Sequence, residues 1–168
     1  MSPRYIALLS FFALTLSATS AADNRLPGRV LHVLDGDSLI LDVRGSQYRV
    51  ELADVDAPEL NQPWGRAAHD WLAHVLAGRF VVVRSSDFSP DGHIRGRLLF
   101  KNHDPGVDLL YQGLAWCTVQ PVAKAVAGSR EYLDAQNEAR AARRGLWSDE
   151  QPISPWEWRR QRPGSFSR

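Results

Sequence analysis

The chain has 168 residues, with 20 lysines and arginines against 19 aspartates and glutamates, a formal net charge of +1, and one cysteine. That balance excludes a polyanion binder working through its overall field, and a lone cysteine excludes an intramolecular disulfide framework. The length suits one domain whose hydrophobic core needs no covalent staple.

Arg4 precedes the apolar run Ile6–Leu16, and the small residues Ser17–Ala22 follow. A basic start, a short apolar centre and a small-residue end form the pattern of a secretory signal peptide over residues 1–22, cleaved after Ala21 or Ala22. The run is about half the roughly 20 residues needed to cross a bilayer, so removal is expected in preference to anchoring. The mature chain is therefore expected in the periplasm or medium, as a monomer without a membrane segment. It carries 19 basic and 19 acidic residues, unevenly spread. Residues 23–138 hold 12 basic and 16 acidic residues, and residues 139–168 hold seven arginines against three acids.

Arg29–Asp42 reads as a hairpin: two apolar runs flank Asp35-Gly36-Asp37, a turn sequence. The turn Arg44-Gly45-Ser46 leads into a strand over Tyr48–Val55, with Tyr48, Val50 and Leu52 on one face and Arg49, Glu51, Ala53 and Val55 on the other. Pro58 ends it. Pro63–Ala77 has helical spacing through Trp64, Trp71, Leu72, Val75 and Leu76, and Gly78 stops it. Phe80–Arg84 reads as a buried strand, Ser85–Gly92 as a polar loop and Arg97–Phe100 as a further strand. Val107–Gly113 is a short helix, and Ser129–Arg144 a longer one with Tyr132, Leu133, Gln136 and Ala139 inward and Gly145 at its end. The residues from Gln151 contain Pro152, Pro155 and Pro163 and read as an irregular surface tail. Cys117, within the apolar run Leu114–Val119, is expected to be buried. About five short strands with two or three helices make an α+β domain, and the arrangement suits a partly closed barrel of OB type.

Three segments can carry chemistry. Asp35-Gly36-Asp37-Ser38 is either an ordinary turn or a turn that aims a carboxylate at a cation. Asp54-Val55-Asp56-Ala57-Pro58-Glu59 gathers acids that repel one another unless a cation or an arginine sits among them. Arg95-Gly96-Arg97 is either solvated or a phosphate clamp, since guanidinium forms a bidentate fork onto phosphate oxygens. The five histidines show no ligand spacing except His69 and His74, so zinc is not expected.

In this order and spacing the segments resemble the staphylococcal nuclease family. The resemblance runs from Arg29 to about Asp149. It takes in the Asp35–Ser38 turn, Val55-Asp56-Ala57-Pro58-Glu59, Gly96-Arg97, Gln112–Trp116, and Glu138-Ala139-Arg140 with Gly145-Leu146-Trp147. It implies a five-stranded OB-fold β-barrel with about three helices over residues 23–150, followed by a Pro/Trp/Arg-rich tail over 151–168. The activity it implies is that of an endonuclease hydrolysing phosphodiesters of DNA or RNA with Ca²⁺ or another divalent cation. By the same resemblance Asp37, Asp56 and the backbone carbonyl of Ala57 are metal ligands, Glu59 is the general base, and Arg97 grips the phosphate. Oxygen ligands of this kind suit a hard cation.

The sequence departs from the family pattern at two charges. Asp54 stands where the family often has a small residue, an extra acid expected to strengthen metal binding or shift the metal preferred. The family's second phosphate-binding arginine lies five residues before the metal aspartate, and here that position is Glu51. Arg49, two residues earlier and on the same face, is the candidate substitute. Glu51 leaves an alternative open: a catalytically weakened module that binds nucleic acid or protein through the same barrel.

Overall fold

A computed structural model describes residues 25–89, 92–119 and 129–161. The expected signal segment lies outside the described residues. Five strands close a barrel in the order β1-β2-β3-β6-β5: β1 (Arg25–Val33), β2 (Ser38–Val43), β3 (Ser46–Leu52), β5 (Phe80–Phe88) and β6 (His93–Leu99). All neighbours are antiparallel except β3 and β6, which run parallel. The five-stranded OB-like α+β architecture matches the sequence expectation.

Alternation builds the barrel interior. Val30, Leu39, Leu41, Val50, Val83 and Leu98 are fully buried, and the polar residues between them face outward. Each such side chain contributes about 1.5–3 kcal/mol. An exposed ion pair such as Arg130–Asp134 is worth at most about 1 kcal/mol, so the apolar pattern decides the fold. Helix α1 (Gly65–Leu76) closes the barrel through Ala68, Leu72 and Leu76, ending at Gly78 with φ 72°. Helix α2 (Pro105–Tyr111) starts on Asp104, whose side chain accepts from the Gly106 amide, with proline in its first turn. Helix α3 (Ser129–Ala141) buries Tyr132, Gln136 and Ala139 as expected, while Leu133 is half-buried. Tyr132 donates to Asp104 at 2.6 Å, tying α3 to the cap of α2.

Several local expectations change, among them β6, which begins at His93 and not at Arg97, and α3, which ends at Ala141. The third strand ends at Leu52. Ala53 and Asp54 form a turn with Asp54 at φ 68°, and Val55–Asp56 then makes a separate short strand, β4, paired with β7 (Trp116–Cys117). Strand β5 continues past Arg84 to Phe88, because its ladder with β6 persists across a bulge between Ser85 and Asp87, and Phe80 at its start is exposed. The segment after Gln151 is not wholly irregular: Pro155–Gln161 forms helix α4, with Pro155 and Trp158 buried. Cys117 is half-buried, and its burial pushes the thiol pKa up. Among the described residues no helix is long and apolar enough to cross a membrane.

Candidate active site

The β1–β2 turn, the second half of β3, strand β4 and the loop after it converge on a cavity of about 480 Å³. Asp35 shapes the turn: its Oδ1 accepts from the amides of Asp37 at 3.0 Å and Ser38 at 2.7 Å. Burial alone would raise the Asp35 pKa, but its hydrogen bonds with Asp37 and Ser38 leave it lowered, so it is a structural carboxylate. A Cβ on Gly36 would lie 2.5 Å from that of Ala57 and 2.7 Å from that of Ala68. Only glycine lets the turn press so closely against the Ala57 segment and α1.

Asp37 follows, with Oδ2 accepting from the Ala57 amide at 2.7 Å. This bond joins the first acidic segment to the second and lays the Ala57 main chain against the Asp37 carboxylate. Burial, with repulsion from Asp35 and Asp56, pushes the Asp37 pKa well above the ordinary aspartate value. A buried carboxylate in that condition calls for a compensating cation.

Asp56 sits on β4, and Glu59 on the turn that runs into α1. Gln62 holds that turn: its Oε1 accepts from the Glu59 amide at 3.1 Å, and its own amide donates to the Glu59 carbonyl at 2.7 Å. Gly65 lies directly behind, where a Cβ would collide with the Glu59 carbonyl oxygen. Gly65→Ala is therefore expected to lower the unfolding free energy by about 1–3 kcal/mol, as overpacking does, and to move Glu59. Urea denaturation read by tryptophan fluorescence checks the first effect.

Of the candidate arginines, Arg49 faces the acids as expected and Arg97 does not. Arg49 lines the cavity, and its Nε is buried with no hydrogen-bond partner among the described residues. Ser38, 2% exposed and also lining the cavity, has its Oγ likewise unpartnered among them. Arg95 also lines the cavity, and β3–β6 pairing sets it directly opposite Glu51. Arg97 does not line it. Its Nε donates to Asp54 at 2.7 Å, its guanidinium lies 4.6 Å from the centre of the Tyr132 ring, and it faces a separate cavity with Asp104 and Glu131. The cause is the Ala53-Asp54 turn, which delivers a carboxylate onto Arg97. The same turn lengthens the path from β3 to Asp56, so counting back five residues from Asp56 does not track a continuous strand.

One site residue was not singled out from sequence. Arg159 on α4 donates to Asp56 Oδ1 at 3.2 Å, Asp56 Oδ2 at 2.7 Å and Glu59 Oε1 at 2.7 Å. Hydrogen bonding to Asp56 leads the causes that raise its pKa further. Among the described residues no three His, Cys, Asp or Glu side chains are gathered as a metal cluster; Asp56 and Glu59 are gathered on Arg159 instead. From sequence, Pro155–Arg160 reads either as a segment that packs back on its own domain or as one that stacks bases and holds phosphates; it packs back, and the pairing of Arg159 with two site acids is what the residue pattern does not show.

The family model for staphylococcal nuclease homologues matches residues 49–149. The chain is 34% identical over 155 residues to the protein ParB of Escherichia coli, covering 87% of this chain and 86% of that protein. It is 37% identical over 145 residues to an uncharacterized endonuclease of Escherichia coli O157:H7, covering 80% and 86% respectively. A micrococcal nuclease of Shigella flexneri is 32% identical over 163 residues, covering 92% and 91%. With the barrel, the Asp37–Ala57 junction and these matches in agreement, the chain belongs to the staphylococcal nuclease homologue family.

Proposed function

We propose that the protein is an exported, divalent-cation-dependent nuclease that hydrolyses phosphodiester bonds of DNA or RNA, with Ca²⁺ as the cation. The observation that carries this reading is the convergence of Asp37, Asp56 and Glu59 on one cavity that Arg49 and Arg95 also line. Family membership and the nuclease names of its relatives support the activity. Export rests on the basic start, apolar run and small-residue end of residues 1–22.

The residues present fit a hard cation. The donors are carboxylate oxygens, and Ser38 Oγ is a buried oxygen without a partner among the described residues. Asp37 and Asp56 would hold the ion, which would polarise the phosphate and offset charge developing on it. Glu59 accepts the proton of the attacking water, while the Gln62 contacts fix its backbone. Arg49 and Arg95 bind the non-bridging oxygens, and the unsatisfied Arg49 Nε is a donor ready for one. Glu51, opposite Arg95, offsets part of the arginine charge in place of contacting phosphate.

Single-stranded DNA incubated with purified mature protein should be cleaved in Ca²⁺ and left intact in EDTA. Binding without turnover across several divalent ions would instead favour a non-catalytic nucleic-acid-binding module.

A further inference from the structure

We infer that Arg159 is a tethered counter-cation that competes with the divalent ion for Asp56 and Glu59, so that helix α4 sets the site's metal threshold. This rests on the nuclease reading above and adds a residue from outside the barrel. The guanidinium takes both oxygens of Asp56 and one of Glu59. A divalent ion on the same carboxylate oxygens would meet a positive group at contact distance, and like charges so close repel strongly where water is partly excluded. The two cations therefore exclude each other. The Arg159 side chain is 40% exposed, so it can swing to solvent when displaced.

The helix that carries it is held by contacts that do not involve Arg159. Trp158, 8% exposed, donates from its indole to Asn61 Oδ1 at 3.2 Å, and Gln62 Nε2 donates to the Ile153 carbonyl at 2.7 Å. Glu157 accepts from the hydroxyl and amide of Ser154, closing the first turn of α4 with the glutamate half of a capping box. Asn61 and Gln62 lie on the turn that carries Glu59, so the tail grips the same segment whose carboxylate it neutralises. Tethering keeps the guanidinium at a high effective concentration beside the acids, and its bidentate fork matches Asp56 better than an ammonium would.

The test compares wild-type protein with Arg159→Gln, and with Arg160→Gln as a control removing the same charge from the same helix. Ca²⁺ binding is measured by calorimetry without nucleic acid, and thermal midpoints are read in EDTA and in saturating Ca²⁺. Arg159→Gln is expected to bind Ca²⁺ about three- to tenfold more tightly, given the worth of a partly exposed bidentate pair. It should melt below wild type in EDTA, where the acids lose their counter-charge, and close that gap in Ca²⁺. Arg159→Lys should fall between, and Arg160→Gln should match wild type. Equal or weaker Ca²⁺ binding by Arg159→Gln, with the same loss of thermal midpoint in both buffers, overturns the inference and leaves a purely structural ion pair. If neither wild type nor Arg159→Gln binds Ca²⁺, the metal-dependent reading of the site falls with it.

Discussion

Glu59→Gln is expected to reduce the Ca²⁺-dependent hydrolysis of single-stranded DNA by about 10²–10⁴-fold, the range for loss of a positioned general base. The substitution keeps the side chain's volume and an oxygen able to accept from Arg159, but it removes the basic site that takes a proton from water. Glu59 is suited to that task because its backbone is fixed on both sides. Its amide is bound by Gln62 Oε1, its carbonyl accepts from the Gln62 amide, and Gly65 leaves just enough room behind it. The base therefore loses little freedom on meeting substrate, which favours an oriented attack. Ca²⁺ binding should persist in this variant, because Asp37 and Asp56 are the acids that would hold the ion and both are kept. Calorimetry of the variant separates loss of the base from loss of the metal. Activity within twofold of wild type at saturating Ca²⁺ would move the base role to another group.

The acidic half of this site is legible from sequence because its geometry is local. Asp35, Gly36, Asp37 and Ser38 make their own turn, and one long-range bond, from Ala57 to Asp37, joins it to the second segment. The arginine half is legible only at Arg49, which strand parity puts on the face of Glu51, and the reason the rest is not is a two-residue turn. Leu52-Ala53-Asp54-Val55 alternates like a strand, so nothing in the residue pattern announces that Asp54 adopts φ 68° and breaks it. That break redirects Asp54 onto Arg97 and leaves Arg49 and Arg95 on the cavity wall. The residue pattern shortens strand β5 for a related reason. Backbone pairing with β6 carries the ladder through Ser85–Phe88 whatever side chains it holds, and residue polarity does not report it. Arg159 lies 100 residues from Glu59. No periodicity or spacing rule connects such positions; only the docking of Trp158 and the Gln62–Ile153 bond do.

Arg49→Gln and Arg97→Gln should therefore fail in different ways. Arg49 lines the cavity with a buried Nε that has no partner among the described residues, the condition of a donor whose acceptor arrives with the substrate. Removing a preorganised donor to charge that develops in a transition state costs about 10²–10³-fold in rate. Arg49→Gln is expected to lose that much, with its thermal midpoint close to wild type, since no described bond is broken. Arg97 instead holds Asp54 at 2.7 Å, reaches Ser129 Oγ at 3.4 Å and covers the Tyr132 ring. Its loss leaves the Asp54 carboxylate without this partner, at a stability cost of about 1 kcal/mol for a pair that is only partly exposed. Measured well below both melting transitions, Arg97→Gln should retain activity within a few-fold of wild type. Arg44→Ala, in the exposed β2–β3 turn, calibrates the assay for loss of a remote charge. Equal losses in Arg49→Gln and Arg97→Gln at that temperature would mean that Arg97 leaves Asp54 when substrate binds. The Ala53-Asp54 turn would then be a holding position for a phosphate-binding arginine, and the cavity wall alone would not identify the residues that grip the phosphate.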